Sequence, residues 1–147
     1  MTRAVLVTGG LSGIGYATIN KLLEQYSPEN IYTTTRRVDN KSLKLLNELG
    51  IDAKNLFTLD LESLESTKNF ICGFKKSCNE LSGLVLNAAH IETSPALMTT
   101  NKSIDTHMMI NFKSQVLITQ KLIQKYFLRQ NYGSVVAVSS SAAKFAN

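Results

Sequence analysis

The stretch Thr8-Gly9-Gly10-Leu11-Ser12-Gly13-Ile14-Gly15 constrains this chain more than any other. It follows the apolar run Ala4-Val5-Leu6-Val7 and opens into Tyr16-Ala17-Thr18-Ile19-Asn20-Lys21-Leu22-Leu23, whose apolar residues recur at helical spacing. A strand, a glycine turn and a helix in that order form a phosphate site. Missing side chains let the backbone approach a pyrophosphate, and the first helical turn offers unpaired N–H groups with a partial positive charge. The ligand that such a turn predicts is a dinucleotide.

A chain of 147 residues fits one domain, so a single unit over 1–147 is expected. No apolar run approaches the ~20 residues that span a bilayer, and Met1-Thr2-Arg3 leads straight into the first strand. The expectation is therefore a soluble, cytoplasmic protein without a membrane partner. The net charge of +5 comes from 16 scattered Lys and Arg whose longest runs are the pairs Arg36-Arg37 and Lys75-Lys76. With no aromatic-basic stripe beside them, they read as solvated surface rather than a nucleic-acid footprint. Cys72 and Cys78 fall on one predicted helix, about 9 Å apart at 1.5 Å rise per residue, too far to bridge. They read as packed thiols. Neither has a Cys or His at ligand spacing, and His90 reads as a loop residue, so no metal site is predicted.

In chain order, residues 14–26 place Ile14, Thr18, Leu22 and Tyr26 on an i+4 row, and Ser27-Pro28 ends that helix. Asn30–Thr35 is β-branched and aromatic, a second strand that runs into Arg36-Arg37. In dinucleotide folds an acid about 20 residues past the glycine turn accepts the ribose 2′-OH of NAD, whereas an arginine pairs with the 2′-phosphate of NADP. Thr35 stands where the acid would be and Arg36 follows, with Arg37 next, so NADP(H) is favoured over NAD(H). Asp39 or Asn40 can cap a helix bearing Leu43, Leu46 and Leu49, stopped by Gly50. Asn55–Leu61 reads as a third strand, Ser63 as the cap of a helix from Leu64 to Cys78, and Leu84–Leu86 as a fourth strand. Residues 100–129 carry the longest helical pattern, with Ile104, Met108, Phe112 and Val116 on one row and Met109, Ile123 and Phe127 near it, wider than one buried stripe. Gly133–Val138 is a fifth strand.

Five of these segments together are similar to one family. The spacing Gly-x-x-x-Gly-x-Gly after Thr8 resembles the Thr-Gly-x-x-x-Gly-Ile-Gly of the short-chain dehydrogenase/reductase family. Asp60-Leu61 resembles its adenine-side pair, Asn87-Ala88-Ala89 its Asn-Ala-Gly with alanine for glycine, and Asn111 its helix asparagine. Ser139-Ser140-Ser141-Ala142-Ala143 resembles its Ser-Ser-x-Ala-Gly. The resemblance implies a Rossmann-like doubly wound parallel α/β sheet of five strands in order 3-2-1-4-5, helices on both faces and the cofactor at the carboxyl ends of the strands. It implies cofactor contacts from Thr8, Gly9, Leu11, Ser12, Gly13, Ile14, Gly15, Arg36, Arg37, Asp60, Leu61, Asn87, Ala88 and Ala89. It implies that Ser140 hydrogen-bonds the substrate oxygen and that Asn111 holds a water linking the catalytic lysine. The activity implied is NADP(H)-dependent interconversion of a carbonyl and an alcohol by hydride transfer, in an oligomer built through the helix of residues 100–129.

The family's Tyr-x-x-x-Lys falls about a dozen residues beyond the serine, and none of Tyr16, Tyr26, Tyr32, Tyr126 and Tyr132 has a lysine four residues on. The chain is therefore expected to be the incomplete amino-terminal part of the family fold. A non-catalytic nucleotide-binding or interaction module, truncated or split, is the alternative. Because both sides of Val135-Val136-Ala137-Val138 are apolar, an exposed patch and an open edge are expected there.

Overall fold

The computed structural model describes residues 3–140. Five parallel strands, β1 (Ala4–Val7), β2 (Ile31–Thr35), β3 (Leu56–Thr58), β4 (Leu81–Leu86) and β5 (Ser134–Ala137), form one sheet in the order β3-β2-β1-β4-β5. Between them run α1 (Gly13–Leu22), α2 (Asn40–Glu48), α3 (Leu64–Ser77), and a long helical segment made of α4 (Asn101–Met108), α5 (Ser114–Leu122) and α6 (Leu128–Gln130). The expected doubly wound architecture and strand order are those observed.

The two-residue period of β1 divides the core. Val5 and Val7 pack with Ile19, Ile31, Leu46, Leu49 and Ile51 under α1 and α2. Ala4 and Leu6 point the other way, into the larger cluster with Phe70, Phe74, Leu84, Ile118, Leu122 and Tyr126 under α3 and α5. Helices on both faces are what a parallel sheet requires, and they explain why no residue of β1 alternates with a polar one. In the larger cluster Phe57, Phe70, Phe74 and Tyr126 meet edge to face, with Phe74 at 5.6 Å from Phe57 and 6.2 Å from Tyr126.

Local chemistry sets the helix ends. Asp39 Oδ1 accepts from Ser42 N at 2.7 Å while Ser42 Oγ accepts from Asp39 N at 2.8 Å, a reciprocal box opening α2. Ser63 Oγ and Thr100 Oγ1 each accept at 3.1 Å from the backbone N–H three residues on, starting α3 and α4. Asn55, 1% exposed, donates from Nδ2 to the carbonyls of Glu29 and Ile31, tying the foot of β3 to that of β2.

Several details depart from the periodicity. Helix α1 ends at Leu22, not 26, and Ile14 is 64% exposed, so the core side of α1 is Gly15 and Ile19. Leu43 is exposed while Leu46 and Leu49 are buried. Cys78 lies one residue past α3, buried, whereas Cys72 is exposed rather than packed. Burial pushes the Cys78 thiol up to about 11. Most consequentially, the row Ile104, Met108, Phe112 and Val116 faces outward at 50–59% exposure, and the core side is Ile110, Ser114, Ile118, Leu122 and Tyr126. Two π-turns, Met109–Lys113 and Ile123–Phe127, interrupt the segment. Each adds a residue per turn and rotates the buried face, which a fixed 3.6 period does not anticipate.

Candidate functional site

The glycine loop bridges the carboxyl end of β1 and the start of α1, and its glycines answer different needs. A Cβ on Gly10 would lie 2.3 Å from both Ile19 Cδ1 and Thr33 Oγ1. One on Gly15 would lie 2.4 Å from Gly9 O and 2.6 Å from Asn87 Nδ2. Gly9 and Gly13 hold left-handed φ of +66° and +48°, but only at Gly13 is there open space around the missing Cβ. The loop is thus sealed against the protein and open at the helix mouth.

Hydroxyls and one amide set its shape. Gly9 N and Gly10 N donate to Thr34 Oγ1 and Thr33 Oγ1 at 3.1 and 3.0 Å, and Thr33 Oγ1 donates in turn to Val7 O. Thr8 Oγ1 accepts from the N–H groups of Asn87 and Ala88 at 3.0 and 3.1 Å. Asn87 Nδ2 donates to Thr8 O and Gly9 O at 3.1 and 3.2 Å. Asn87 therefore fixes the loop through β4. Thr33 and Thr34 are not among the residues expected at the site, although threonines in a strand buried on both faces are a signal that their hydroxyls have partners.

Among the α-helices that start from a loop, α2, α3 and α4 carry a side-chain cap, whereas Ser12 makes none at α1. The mouth of α1 keeps first-turn N–H groups without a capping side chain beside the open face of Gly13. This donor set, with no Cβ in the way, fits a diphosphate. Leu11 is half-buried against the α1–α2 core, and Ser12, Gly13 and Ile14 are exposed around the mouth.

The remaining positions lie along the carboxyl edge of the sheet. Arg36 and Arg37 are exposed directly after β2, and among the described residues neither is in an ion pair. Asp60 turns the chain after β3: its N donates to Ser66 Oγ and its Oδ1 accepts from Glu62 N. Leu61 is 6% exposed and belongs to the larger core. Ala88 is half-buried and its carbonyl accepts from Gln115 Nε2 at 2.7 Å, while Ala89 is exposed. Asn111 is exposed on the first π-turn, where Oδ1 accepts from His90 N and Nδ2 donates to His90 O, both at 2.8 Å. Ser140 follows β5, whose pairing with β4 extends to Val138, where N donates to Leu86 O. Ser141, Ala142 and Ala143 lie outside the described residues. A cleft of about 360 Å³ between β4–β5 and α5 is lined by Leu86, Asn111, Phe112, Gln115 and Ala137, among others. Gln115 Oε1 is buried without a hydrogen bond among the described residues.

This parallel sheet, with an uncapped helix mouth at a glycine loop, defines a nucleotide-binding α/β protein of Rossmann type. The family model for short chain dehydrogenase matches residues 3–147, and the chain belongs to that family. It is 29% identical over 149 aligned positions to a 3-amino-tetrahydro-pyrrolizinone reductase of Xenorhabdus hominickii, covering 99% of this chain and 49% of that protein. Actinorhodin polyketide ketoreductase with NADPH superposes with a TM-score of 0.85 at 21% identity, covering 99% of this chain and 56% of that one. A 3-oxoacyl-(acyl-carrier protein) reductase from Brucella melitensis in complex with NAD superposes with a TM-score of 0.79 at 24% identity, covering 100% and 59%. These chains share the fold, and this chain spans about half the length of the reductase from Xenorhabdus. Among the described residues no helix is long and apolar enough to cross a membrane.

Proposed function

We propose that this chain is the cofactor-binding part of an NADP(H)-dependent oxidoreductase that interconverts a carbonyl and an alcohol. The observation that carries the reading is the uncapped mouth of α1 opposite the open face of Gly13, in a family member whose other loop-started α-helices are capped. Solved chains with the same fold hold NADPH in one case and NAD in another, which supports a nicotinamide dinucleotide as the ligand.

In this reading the first-turn N–H groups of α1 hold the diphosphate, and Thr8 and Asn87 keep the loop in register to receive it. Arg36, with Arg37 beside it, pairs with a 2′-phosphate, because Thr35 presents no carboxylate to repel one. Asp60 and the turn at Leu61 face the adenine side, the Leu61 side chain itself being committed to the core. Ala88 and Ala89 border the nicotinamide ribose, where the Ala89 methyl stands in place of the usual glycine. The bound coenzyme supplies the hydride. Ser140 donates to the substrate oxygen, stabilising charge that develops there, and Asn111 anchors the loop at His90 beside it.

The acid–base step needs a tyrosine and lysine that these 147 residues do not arrange as Tyr-x-x-x-Lys. A second reading is a module that binds the nucleotide without turning it over. The exposed row Ile104, Met108, Phe112 and Val116 is proposed as the surface that a second copy covers.

Fluorescence titration with NADPH and NADH separates these points. NADPH is expected to bind at least about tenfold tighter than NADH, the worth of one charge-assisted pair. Thr35→Asp reverses the order. Equal affinities refute the role of Arg36, and no binding of either coenzyme refutes the site. A carbonyl-reductase assay then distinguishes enzyme from module.

A further inference from the structure

We propose that His90, Glu92 and His107 form a binding site for a divalent transition-metal ion of the zinc class, independent of the dinucleotide. The loop after β4 supplies His90 and Glu92, and α4 supplies His107. One ligand atom from each lies within 4.8 Å of the other two. His90 Nε2 stands 3.8 Å from Glu92 Oε2, and the two imidazole rings are 4.9 Å apart.

Proximity alone would be weak, but the surroundings orient these groups as ligands. His107 Nδ1 lies 2.9 Å from Ser103 O. A carbonyl only accepts, so Nδ1 carries the proton and Nε2 holds a lone pair facing the cluster. That lone pair accepts only a long contact from Glu92 N, at 3.3 Å, which a cation would replace while the exposed amide turns to solvent. Ser103 Oγ donates to Glu92 Oε2 at 2.9 Å, aiming the carboxylate. His90 is held at its backbone by both polar atoms of Asn111. An imidazole N–H on a carbonyl and a hydroxyl on the carboxylate are the outer contacts that fix tautomer and direction around protein-bound zinc.

In a tetrahedral zinc site ligand atoms are about 3.3 Å apart, so the three need to draw together by at most about 1.5 Å, within the reach of side-chain rotation on exposed and half-exposed residues. Three protein ligands leave the fourth position to water. Two imidazoles with one carboxylate select a borderline ion over magnesium or calcium, which take all-oxygen shells. A bound ion would clip the loop after β4 to α4.

The test is titration of the tag-free chain with Co²⁺ alone. The expected result is one equivalent per chain with an intense visible band of four- or five-coordinate cobalt, bleached by Zn²⁺. His107→Ala and Glu92→Gln should each weaken binding at least about tenfold while leaving the far-ultraviolet circular dichroism unchanged. A spectrum that stays that of the pale hydrated ion overturns the proposal without any variant. So does His107→Ala binding as tightly as the parent chain. Because neither readout uses a nicotinamide, failure here leaves the cofactor site untouched.

Discussion

Strand β1 is four apolar residues and β5 is Ser134 followed by three apolar ones in the same parallel sheet, yet every residue of the first is buried and every residue of the second exposed. β1 lies between two strands with α1 and α2 on one face and α3 and α5 on the other. β5 pairs with β4 alone among the described strands, and Val135, Val136 and Val138 stand 39–51% exposed. A run of apolar residues therefore reports what a strand requires, and only the fold shows whether it has been met. In β1 apolar side chains hold the structure together; in β5 they form a surface that another element would cover.

This contrast can be broken most forcefully at its buried end. Leu6→Ala removes a side chain with no exposure and should cost about 3 kcal/mol of unfolding free energy by urea denaturation. A loss below about 1 kcal/mol would show that β1 is not the centre of the core. Next comes the glycine pair of the loop. Gly15→Ala forces a methyl against Gly9 O and Asn87 Nδ2 and should cost about 2 kcal/mol together with coenzyme affinity. Gly13→Ala meets no atom and is penalised only by its φ, about 1 kcal/mol; equal effects on stability would contradict the sealed and open sides of the loop.

A pH series probes the larger core from a different direction. Burial holds the Cys78 thiol at about 11, above its ordinary 9.0. Below pH 9 its contribution is complete in the neutral form. As pH rises from about 9 to 11 the unfolded thiol ionises and the folded one does not, so stability should fall across that window. Cys78→Ala should flatten the loss; an unchanged slope would place its cause elsewhere, with Tyr126 and Tyr32 being further groups of this core whose acidity burial suppresses. The smallest effect belongs to the exposed strand. Val136→Thr should change stability by less than about 0.5 kcal/mol while lowering the binding of a hydrophobic dye. A large loss would mean that β5 is already covered in solution.

Where the sequence could be read and where it could not follows from the same physics. The glycine loop and the caps at Asp39 and Ser63 were legible because each depends on residues adjacent in the chain, whereas the strand order pairs distant segments and followed only from the family resemblance. The outward turn of Ile104, Met108, Phe112 and Val116 was not, because π-turns shift the phase of a helix without a local signature. Ile14 misled for a related reason: at a helix mouth an apolar side chain can face the open loop instead of the core. Of the candidate site, positions were foreseen better than partners. Asn111 was anticipated from the resemblance as the residue that holds a water, and among the described residues its amide clasps the backbone of His90. His107 escaped notice altogether, since sequence spacing does not reveal that a loop folds back on the helix that follows it.

The hydroxyls of Thr33 and Thr34 carry one last consequence. They occupy the amides of Gly9 and Gly10, so the bend is already rigid before any nucleotide arrives and is fastened to the neighbouring strand. Docking and melting are thereby linked: the pocket cannot loosen while the β-sheet beneath it persists, and a coenzyme that seats there should raise the melting temperature of the whole sheet in one cooperative step.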